Sequence, residues 1–174
     1  MMAPESALAV LVPETESLVG TFRKLHDPSA LAGIPAHITV LYPFKPPQEI
    51  TTATIENLEE IFAEIDSFDV CFGEWRLLRH VLYLAPQPDE PLKRMTERVF
   101  ARFPETPPYG GQFAEIIPHL TVAQSDDRNR LRDVTDEFER AAKSILPIHT
   151  RITDVVLLEN ETGQWSVRRS FVLG

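Results

Sequence analysis

The distribution of hydrophobic and polar positions along the chain predicts seven strands and four helices. Short apolar or alternating runs are typical of strands, and they lie at 8–12, 37–42, 68–72, 81–85, 119–123, 148–158 and 164–173. Hydrophobic residues repeat at helical spacing in four intervening segments, which begin near residues 15, 51, 89 and 126. Threonine or aspartate stands at these starts, where its side chain can cap the first turn of a helix.

The order of these elements repeats once along the chain. In each half, a strand and a helix lead to a strand that opens with a His-x-Thr triplet, and a further helix and a strand pair follow. Each repeat spans about half of the chain, which suits two lobes of one domain better than the short units of a solenoid. We therefore predict an α+β fold in which residues 1–174 form a single bilobal domain. Its two antiparallel sheets, related by a pseudo-twofold axis, are expected to face a central cleft, with the helices outside.

The two triplets carry the chemistry of greatest interest. Residues i and i+2 of a strand point to the same face, roughly 6.6 Å apart. His37 and Thr39 therefore project together, and so do His119 and Thr121. If the two halves are related by a pseudo-twofold axis, both pairs meet across the cleft, so that two imidazoles flank one small pocket.

Two facing imidazoles suit the cleavage of a phosphodiester bond. A neutral imidazole can take a proton from an attacking water or hydroxyl group, and a charged one can give a proton to the leaving oxygen. The threonine hydroxyls can donate hydrogen bonds to phosphoryl oxygens. This scheme needs no metal ion or other cofactor, and the sequence has no zinc-ligand spacing and no phosphate-binding glycine loop. The alternative is that the four residues are ordinary half-buried polar residues of a sheet.

Composition and charge narrow the choice of partners. The chain has 174 residues and a formal net charge of -9, which argues against tight, sequence-blind binding of long nucleic acids but leaves room for a small phosphorylated substrate. No apolar run approaches the length of a membrane span, and the start MMAPES lacks the positive charge of a secretory signal. The single cysteine, Cys71, cannot form an internal disulfide. We expect a cytoplasmic monomer with no membrane association and no obligate protein partner.

The segments that carry the triplets resemble the 2H phosphoesterases, a superfamily that includes the bacterial proteins named 2'-5' RNA ligases. The resemblance rests on HITV at 37–40 and HLTV at 119–122, and it extends to the flanking segments 36–44 and 107–123. It covers nearly the whole chain. It implies a bilobal fold and the metal-independent hydrolysis or transesterification of 2',3'-cyclic phosphates or 2'-5' linkages in nucleotides.

The resemblance also implies catalytic roles for His37, Thr39, His119 and Thr121, with His37 as the candidate acid and His119 as the candidate base. Some members of the family carry a basic residue after the second motif that helps to hold phosphate or RNA. Here Ala123-Gln124-Ser125 follows instead, and this departure favours a small nucleotide as the substrate. Two alternatives stay open, namely a 2'-5' RNA ligase that acts on RNA ends and a nucleotide-binding module without turnover.

Three aromatic residues are candidates for substrate binding. Strict alternation puts Tyr42 on the face opposite the first histidine, but the proline after it can twist the strand end, so that Tyr42 or Phe44 lines the pocket and stacks on a base. Tyr109 lies in a loop with two glycines just before the second motif, where it could close over the cleft. The competing predictions are a core position for Tyr42 and an ordinary surface turn at Tyr109. Phe113 is predicted to be a core residue.

Overall fold

The elements of the fold follow the predicted order, with one strand and one short helix, α2, more than expected. A computed structural model describes residues 3–174. The strands are β1 (Glu5–Leu11), β2 (His37–Leu41), β3 (Phe68–Leu78), β4 (Val81–Gln87), β5 (Leu120–Gln124), β6 (Ile148–Ile152), β7 (Asp154–Asn160) and β8 (Trp165–Val172). The helices are α1 (Glu16–His26), α2 (Pro28–Leu31), α3 (Thr52–Ala63), α4 (Glu90–Arg102) and α5 (Arg128–Ala142). Within residues 3–174, none of the helices has the length and apolar character that crossing a membrane requires.

Two of the long helices begin at the polar residues that the sequence offers as caps. Thr51 accepts a hydrogen bond from the N–H of Thr54, and the Thr54 side chain accepts one in return from the N–H of Thr51. Asp127 accepts hydrogen bonds from the N–H groups of Asn129 and Arg130. These local interactions fix where α3 and α5 start, because they satisfy amide groups that have no partner within the helix.

The eight strands of the described chain form one antiparallel sheet, in the order β6-β3-β4-β5-β2-β1-β7-β8. The α+β class is confirmed, but the two predicted sheets are two four-stranded halves of one curled sheet. β2 and β5 join the halves through a single paired position, Ile38 opposite Leu120. The strands that begin with the two motifs are therefore neighbours at the centre of the sheet rather than members of separate layers.

The segment from 148 to 160 forms two strands where one was predicted. β6 pairs with β3 at the edge of one half, whereas β7 pairs with β1 in the other half. Thr153 separates the two strands, so the chain crosses between the halves at that residue. The hydrophobic pattern could not reveal this crossing, because both parts are strand-like and sheet membership depends on pairing with distant segments.

The long helices cover one face of the sheet and leave the other to the cleft. α1 packs against β5 and α4 packs against β2, so each of these helices lies on the half that its own preceding strand does not belong to. The core between helices and sheet contains Ile38 and Leu120 together with Phe62, Met95 and Phe138, all fully buried. Because the two central strands bury these residues on the helix side, their neighbours in sequence face the cleft.

Candidate active site

The two His-x-Thr motifs share one face at the centre of the sheet. Ile38 and Leu120 are paired with each other and fully buried on the helix side, so the residues on either side of them point to the opposite face. Continuing this antiparallel register places each motif histidine across from the threonine of the other motif. The side chains concerned are His37, Thr39, His119 and Thr121, and all four are half-buried.

Each motif histidine is oriented by the backbone carbonyl two residues before it. The Nδ1 atom of His37 lies 2.8 Å from the carbonyl oxygen of Pro35, and the Nδ1 atom of His119 lies 2.7 Å from that of Ile117. A carbonyl oxygen can only accept a hydrogen bond, so Nδ1 carries the proton in both rings. In the neutral ring the Nε2 atom then has a free lone pair, and this is the nitrogen that can take up or deliver a proton.

The surroundings of His37 disfavour its charged form. Burial lowers the pKa of His37 below its ordinary value of 6.5, because the imidazolium loses contact with water. The hydrogen bond to Pro35 opposes this shift, the positive charges of Arg23 and His119 add to it, and the carboxylate of Asp27 opposes it. His37 is therefore neutral near pH 7 in the free protein.

A buried ion pair and a carboxylate hold the segment that leads into the first motif. Arg23 is 3% exposed and donates hydrogen bonds of 3.0 Å to the carboxylate of Asp27 and to the carbonyl of Ile34. Glu16 accepts a hydrogen bond of 2.6 Å from the N–H of Ala36. These contacts fix the residues on either side of the carbonyl that orients the first histidine. The sequence analysis missed them, although Arg23 and Asp27 stand four residues apart at the end of a predicted helix.

In the half of the sheet that contains β1 and β2, side chains of the protein itself pack on the face that bears the first motif. Ala9 lies opposite Thr39 in the register of β1 and β2, so it belongs to the same face as the motif. Ala9, Val156 and Leu158 form a small apolar cluster with Ile34, and each of the four is at most 7% exposed. On this side of the cleft, these four side chains are buried against one another.

In the half of the sheet that contains β4 and β5, the face that bears the second motif borders a cavity. A cavity of about 590 Å³ lies beside His119, between the turn that joins β3 to β4 and the segment before β5. Tyr83 lies opposite Thr121 in the register of β4 and β5, and its ring meets the His119 ring edge-on, with 5.7 Å between the ring centroids. A cavity thus adjoins the motifs on the side of His119.

The loop before β5 is tied to the end of β2 and brings Tyr109 into the cleft. The N–H of Tyr109 donates a hydrogen bond of 2.6 Å to the carbonyl of Tyr42. Burial raises the pKa of the Tyr109 hydroxyl, and interaction of this hydroxyl with the Thr39 side chain opposes the shift. The predicted substrate-binding residue Tyr109 therefore lines the cleft, next to the first motif and on the wall of the cavity.

Phe44 is a core residue, so its expected place in the pocket is wrong. It is 5% exposed and its ring packs against Phe103, with 5.2 Å between the ring centroids. The N–H of Phe44 donates a hydrogen bond to the carbonyl of Ser6, so the chain runs on beside β1 and turns this ring towards the helices.

Tyr42 is held at the end of β2 by a carboxylate. Its hydroxyl donates a hydrogen bond of 2.6 Å to Glu5. Burial and this carboxylate raise the pKa of Tyr42 to about 12, so Tyr42 stays protonated at the strand end.

Two residues of the cavity wall were assigned wrongly or left aside in the sequence analysis. Phe113, expected in the core, is 43% exposed and lines the cavity. Arg79 stands in the turn between β3 and β4, with its guanidinium 4.6 Å from the centroid of the Phe113 ring. Both residues lie in loops, where hydrophobic periodicity carries no information about burial, and only the fold brings them together.

The assembled groups favour proton transfer next to a bound anion. Two imidazoles offer a proton acceptor and a proton donor, and the hydroxyls of Thr39 and Thr121 lie on the same face as hydrogen-bond donors. Within residues 3–174, no group of three or more His, Cys, Asp or Glu side chains is arranged as a metal site.

Known proteins share both the sequence pattern and the fold. The sequence model of the 2'-5' RNA ligase superfamily matches residues 11–164. A Bacillus licheniformis protein named "Putative phosphoesterase" is 26% identical over 172 residues, which cover 95% of this chain and 96% of the relative. A Bacillus pumilus protein of the same name is 27% identical over 180 residues, with 95% of each chain covered.

Among solved structures, Escherichia coli LigT complexed with 3'-AMP superimposes with a TM-score of 0.59 at 16% identity, over 99% of both chains. This likeness extends to the whole fold, including both halves of the sheet. Since the family's sequence model matches residues 11–164, from the end of β1 to the turn before β8, the chain belongs to the 2'-5' RNA ligase superfamily and is an enzyme of the 2H phosphoesterase type.

Proposed function

We propose that the protein is a cytoplasmic, metal-independent phosphodiesterase that acts on 2',3'-cyclic phosphates or 2'-5' linkages of small nucleotides. The observation that carries this proposal is the pair of His-x-Thr motifs on adjacent central strands, with each imidazole held by the same type of carbonyl hydrogen bond. The fold relative LigT was solved with 3'-AMP, a nucleotide of the kind that opening a 2',3'-cyclic phosphate would release.

In the proposed reaction, a neutral imidazole removes a proton from water as the water oxygen attacks phosphorus. A new P–O bond forms, and the bond from phosphorus to one ribose oxygen breaks. The second imidazole, in its protonated form, gives its proton to that departing oxygen. The base ends protonated and the acid neutral, and exchange with solvent restores both. Thr39 and Thr121 donate hydrogen bonds to the phosphoryl oxygens, on which negative charge accumulates in the transition state.

A second candidate is the joining of RNA ends through a 2'-5' linkage, which the name of the family favours. The formal net charge of -9 and the run Ala123-Gln124-Ser125, where some members of the family carry a basic residue, weigh against a long RNA substrate. A nucleotide-binding module without turnover is the remaining alternative, and it would need no acid-base pair.

An assay of 2',3'-cyclic nucleotides, 2'-5' dinucleotides and RNA with cyclic phosphate ends, in the presence of a chelator, tests the proposal. We expect cleavage of the small substrates with the chelator present. His37→Ala and His119→Ala should each lower kcat by about 100- to 10,000-fold, and the double variant should lose little more, because the pair acts as a unit. Thr39→Ala should cost about 10- to 1000-fold. Activity that disappears with the chelator and returns with one divalent ion would contradict the proposal, and so would turnover that both histidine variants retain.

The family resemblance implies that His37 acts as the acid and His119 as the base. A nitrophenyl phosphodiester has a leaving group that departs without protonation, so it should restore much of the rate of His37→Ala but not that of His119→Ala. Rescue of His119→Ala alone would exchange the two roles. Rescue of both variants, or of neither, would show that the acid-base assignment is wrong.

A further inference from the structure

The sheet face that bears the motifs continues beyond the second motif. Leu82 and Ala123 are paired in β4 and β5 and are buried in the core on the helix side. Their neighbours Val81 and Gln124, which are also paired, therefore point to the opposite face, where Thr121 lies. At about 3.3 Å per residue, Gln124 stands roughly 10 Å along the strand from Thr121. A ligand whose reacting phosphate lies at the motifs can therefore extend over this end of the sheet.

A second cavity, of about 450 Å³, opens at this end of the sheet. It lies between the end of α1, the short helix α2, the turn that joins β3 to β4, and the start of α5. His80 and Val81 line both this cavity and the one beside His119, so the two cavities adjoin each other. The volume of the second cavity is in the range of small-molecule binding sites, and the proposed reaction leaves it without a role.

Hydrogen-bond donors from separate elements meet at the wall of this second cavity. Arg130 comes from α5, His26 from the end of α1 and His80 from the turn between β3 and β4. Gln124 and Ser125 come from the end of β5 and the loop after it. The Ser125 hydroxyl oxygen accepts a hydrogen bond of 3.1 Å from a backbone N–H just before α5, so its own proton stays available to a ligand. Phosphate oxygens accept hydrogen bonds, and a guanidinium can bind two of them at once.

The charge of Arg130 is available because the carboxylates at the cavity are paired or screened. Asp27 is buried, and its oxygens accept hydrogen bonds from Arg23 and from the first turn of α2. Asp126 lies 3.8 Å from Nδ1 of His80, but its side chain is 99% exposed, so water screens its charge. Within residues 3–174, the Arg130 guanidinium takes part in no ion pair.

From this cavity, its place on the face that bears the motifs and its unpaired arginine, we infer that the protein holds a second phosphate group of its substrate between Arg130, His80 and His26. The inference rests on the proposed function, since it takes a nucleotide as the substrate. It adds a preference, because a cyclic nucleotide with a further phosphate should be cleaved better than one without. Such a phosphate stands at the 5' position, where the ribose separates it from the reacting group, as the length of β5 separates the two sites.

The test compares adenosine 2',3'-cyclic phosphate with the same nucleotide carrying a 5'-phosphate. The wild-type protein should prefer the 5'-phosphorylated substrate in kcat/KM by about 10- to 100-fold, the range of a hydrogen bond between charged groups. Arg130→Gln should remove most of this preference by lowering kcat/KM for the 5'-phosphorylated substrate. His80→Gln should lower the preference by a smaller factor. Arg128→Gln is the matched control, because it removes the same charge from an exposed residue of the same helix that does not line the cavity.

Equal kcat/KM of the wild-type protein for the two substrates would overturn the inference, even if inorganic phosphate inhibits through Arg130, because the cavity would then bind a free anion. A preference that Arg130→Gln leaves intact, or that Arg128→Gln lowers as much, would also overturn it.

If the wild-type protein cleaves neither substrate, the proposed function fails, and equilibrium dialysis with adenosine 3',5'-bisphosphate and adenosine 3'-monophosphate then decides about the cavity alone. Tighter binding of the bisphosphate that Arg130→Gln abolishes and Arg128→Gln retains would support the second phosphate site. Any other dialysis result would reject it.

Discussion

At the scale of the residue, the immediate neighbours of His37 fix which nitrogen of its ring is available and which protonation state the ring favours. The Pro35 carbonyl occupies Nδ1, so the opposite nitrogen stays available. Burial lowers the pKa of the ring, and the carbonyl opposes this shift. In the proposed reaction His37 is the acid and must be protonated when it acts. The negative charge of a bound phosphodiester would raise its pKa again and so favour that form.

The lowered pKa of His37 predicts a dependence of stability on pH. Between the pKa of the folded state and 6.5, the ordinary value that the unfolded chain keeps, the unfolded state binds more protons than the folded one. The free energy of unfolding should therefore fall as the pH falls below about 6.5. Urea unfolding at pH 7.5 and pH 5.5 should show a larger loss for the wild-type protein than for His37→Gln.

His149→Gln provides the control for this measurement, because His149 is an exposed histidine of β6. It should reproduce the pH dependence of the wild-type protein. A loss of stability between the two pH values that is the same in His37→Gln and the wild-type protein would contradict the lowered pKa.

At the scale of elements, helix α1 forms hydrogen bonds that hold the segment leading into the first motif. The helix contributes Glu16 from its first turn and Arg23 from its last, and both reach the segment 34–36 that enters β2. Arg23 also forms a buried ion pair with Asp27, which follows the helix directly. The position of the carbonyl that orients His37 therefore depends on a helix that makes no contact with substrate in the proposed reaction.

Glu16 is accordingly predicted to be a positioning residue. Glu16→Ala removes the acceptor for the Ala36 N–H and should lower kcat by about 10- to 100-fold, because small displacements of reacting groups are costly. Glu16→Gln keeps a carbonyl oxygen that can accept the same hydrogen bond and should restore most of kcat. KM should change less than kcat in both variants, since the bond does not involve the substrate.

The neighbouring exposed Glu14 offers a matched control. Glu14→Ala removes the same charge from the same segment without touching the motif, and its kcat should equal that of the wild-type protein. An equal loss in Glu14→Ala and Glu16→Ala would assign the effect to charge, and the positioning role would then be wrong.

At the scale of the whole molecule, the two halves of the sheet are similar in their strands but differ in what surrounds the motifs. The antiparallel pair at Ile38 and Leu120 brings two similar motifs together, as the proposed reaction with one acid and one base requires. The apolar cluster around Ala9 and the cavity around Phe113 then make the two sides of the cleft unequal.

The sequence by itself determined the α+β class, most of the elements and the spacing that projects each His-x-Thr pair from one strand face. These features depend on hydrophobic periodicity and capping, which act over a few residues. The tertiary structure decided the single continuous sheet, the crossing of the chain at Thr153, the core position of Phe44 and the exposure of Phe113. Each of these depends on which distant segments pair or pack, and local patterns carry no record of that choice. The hydrogen bond from Ala36 to Glu16 and the cavity beside His119 belong to the same class, because they arise only when separate elements meet.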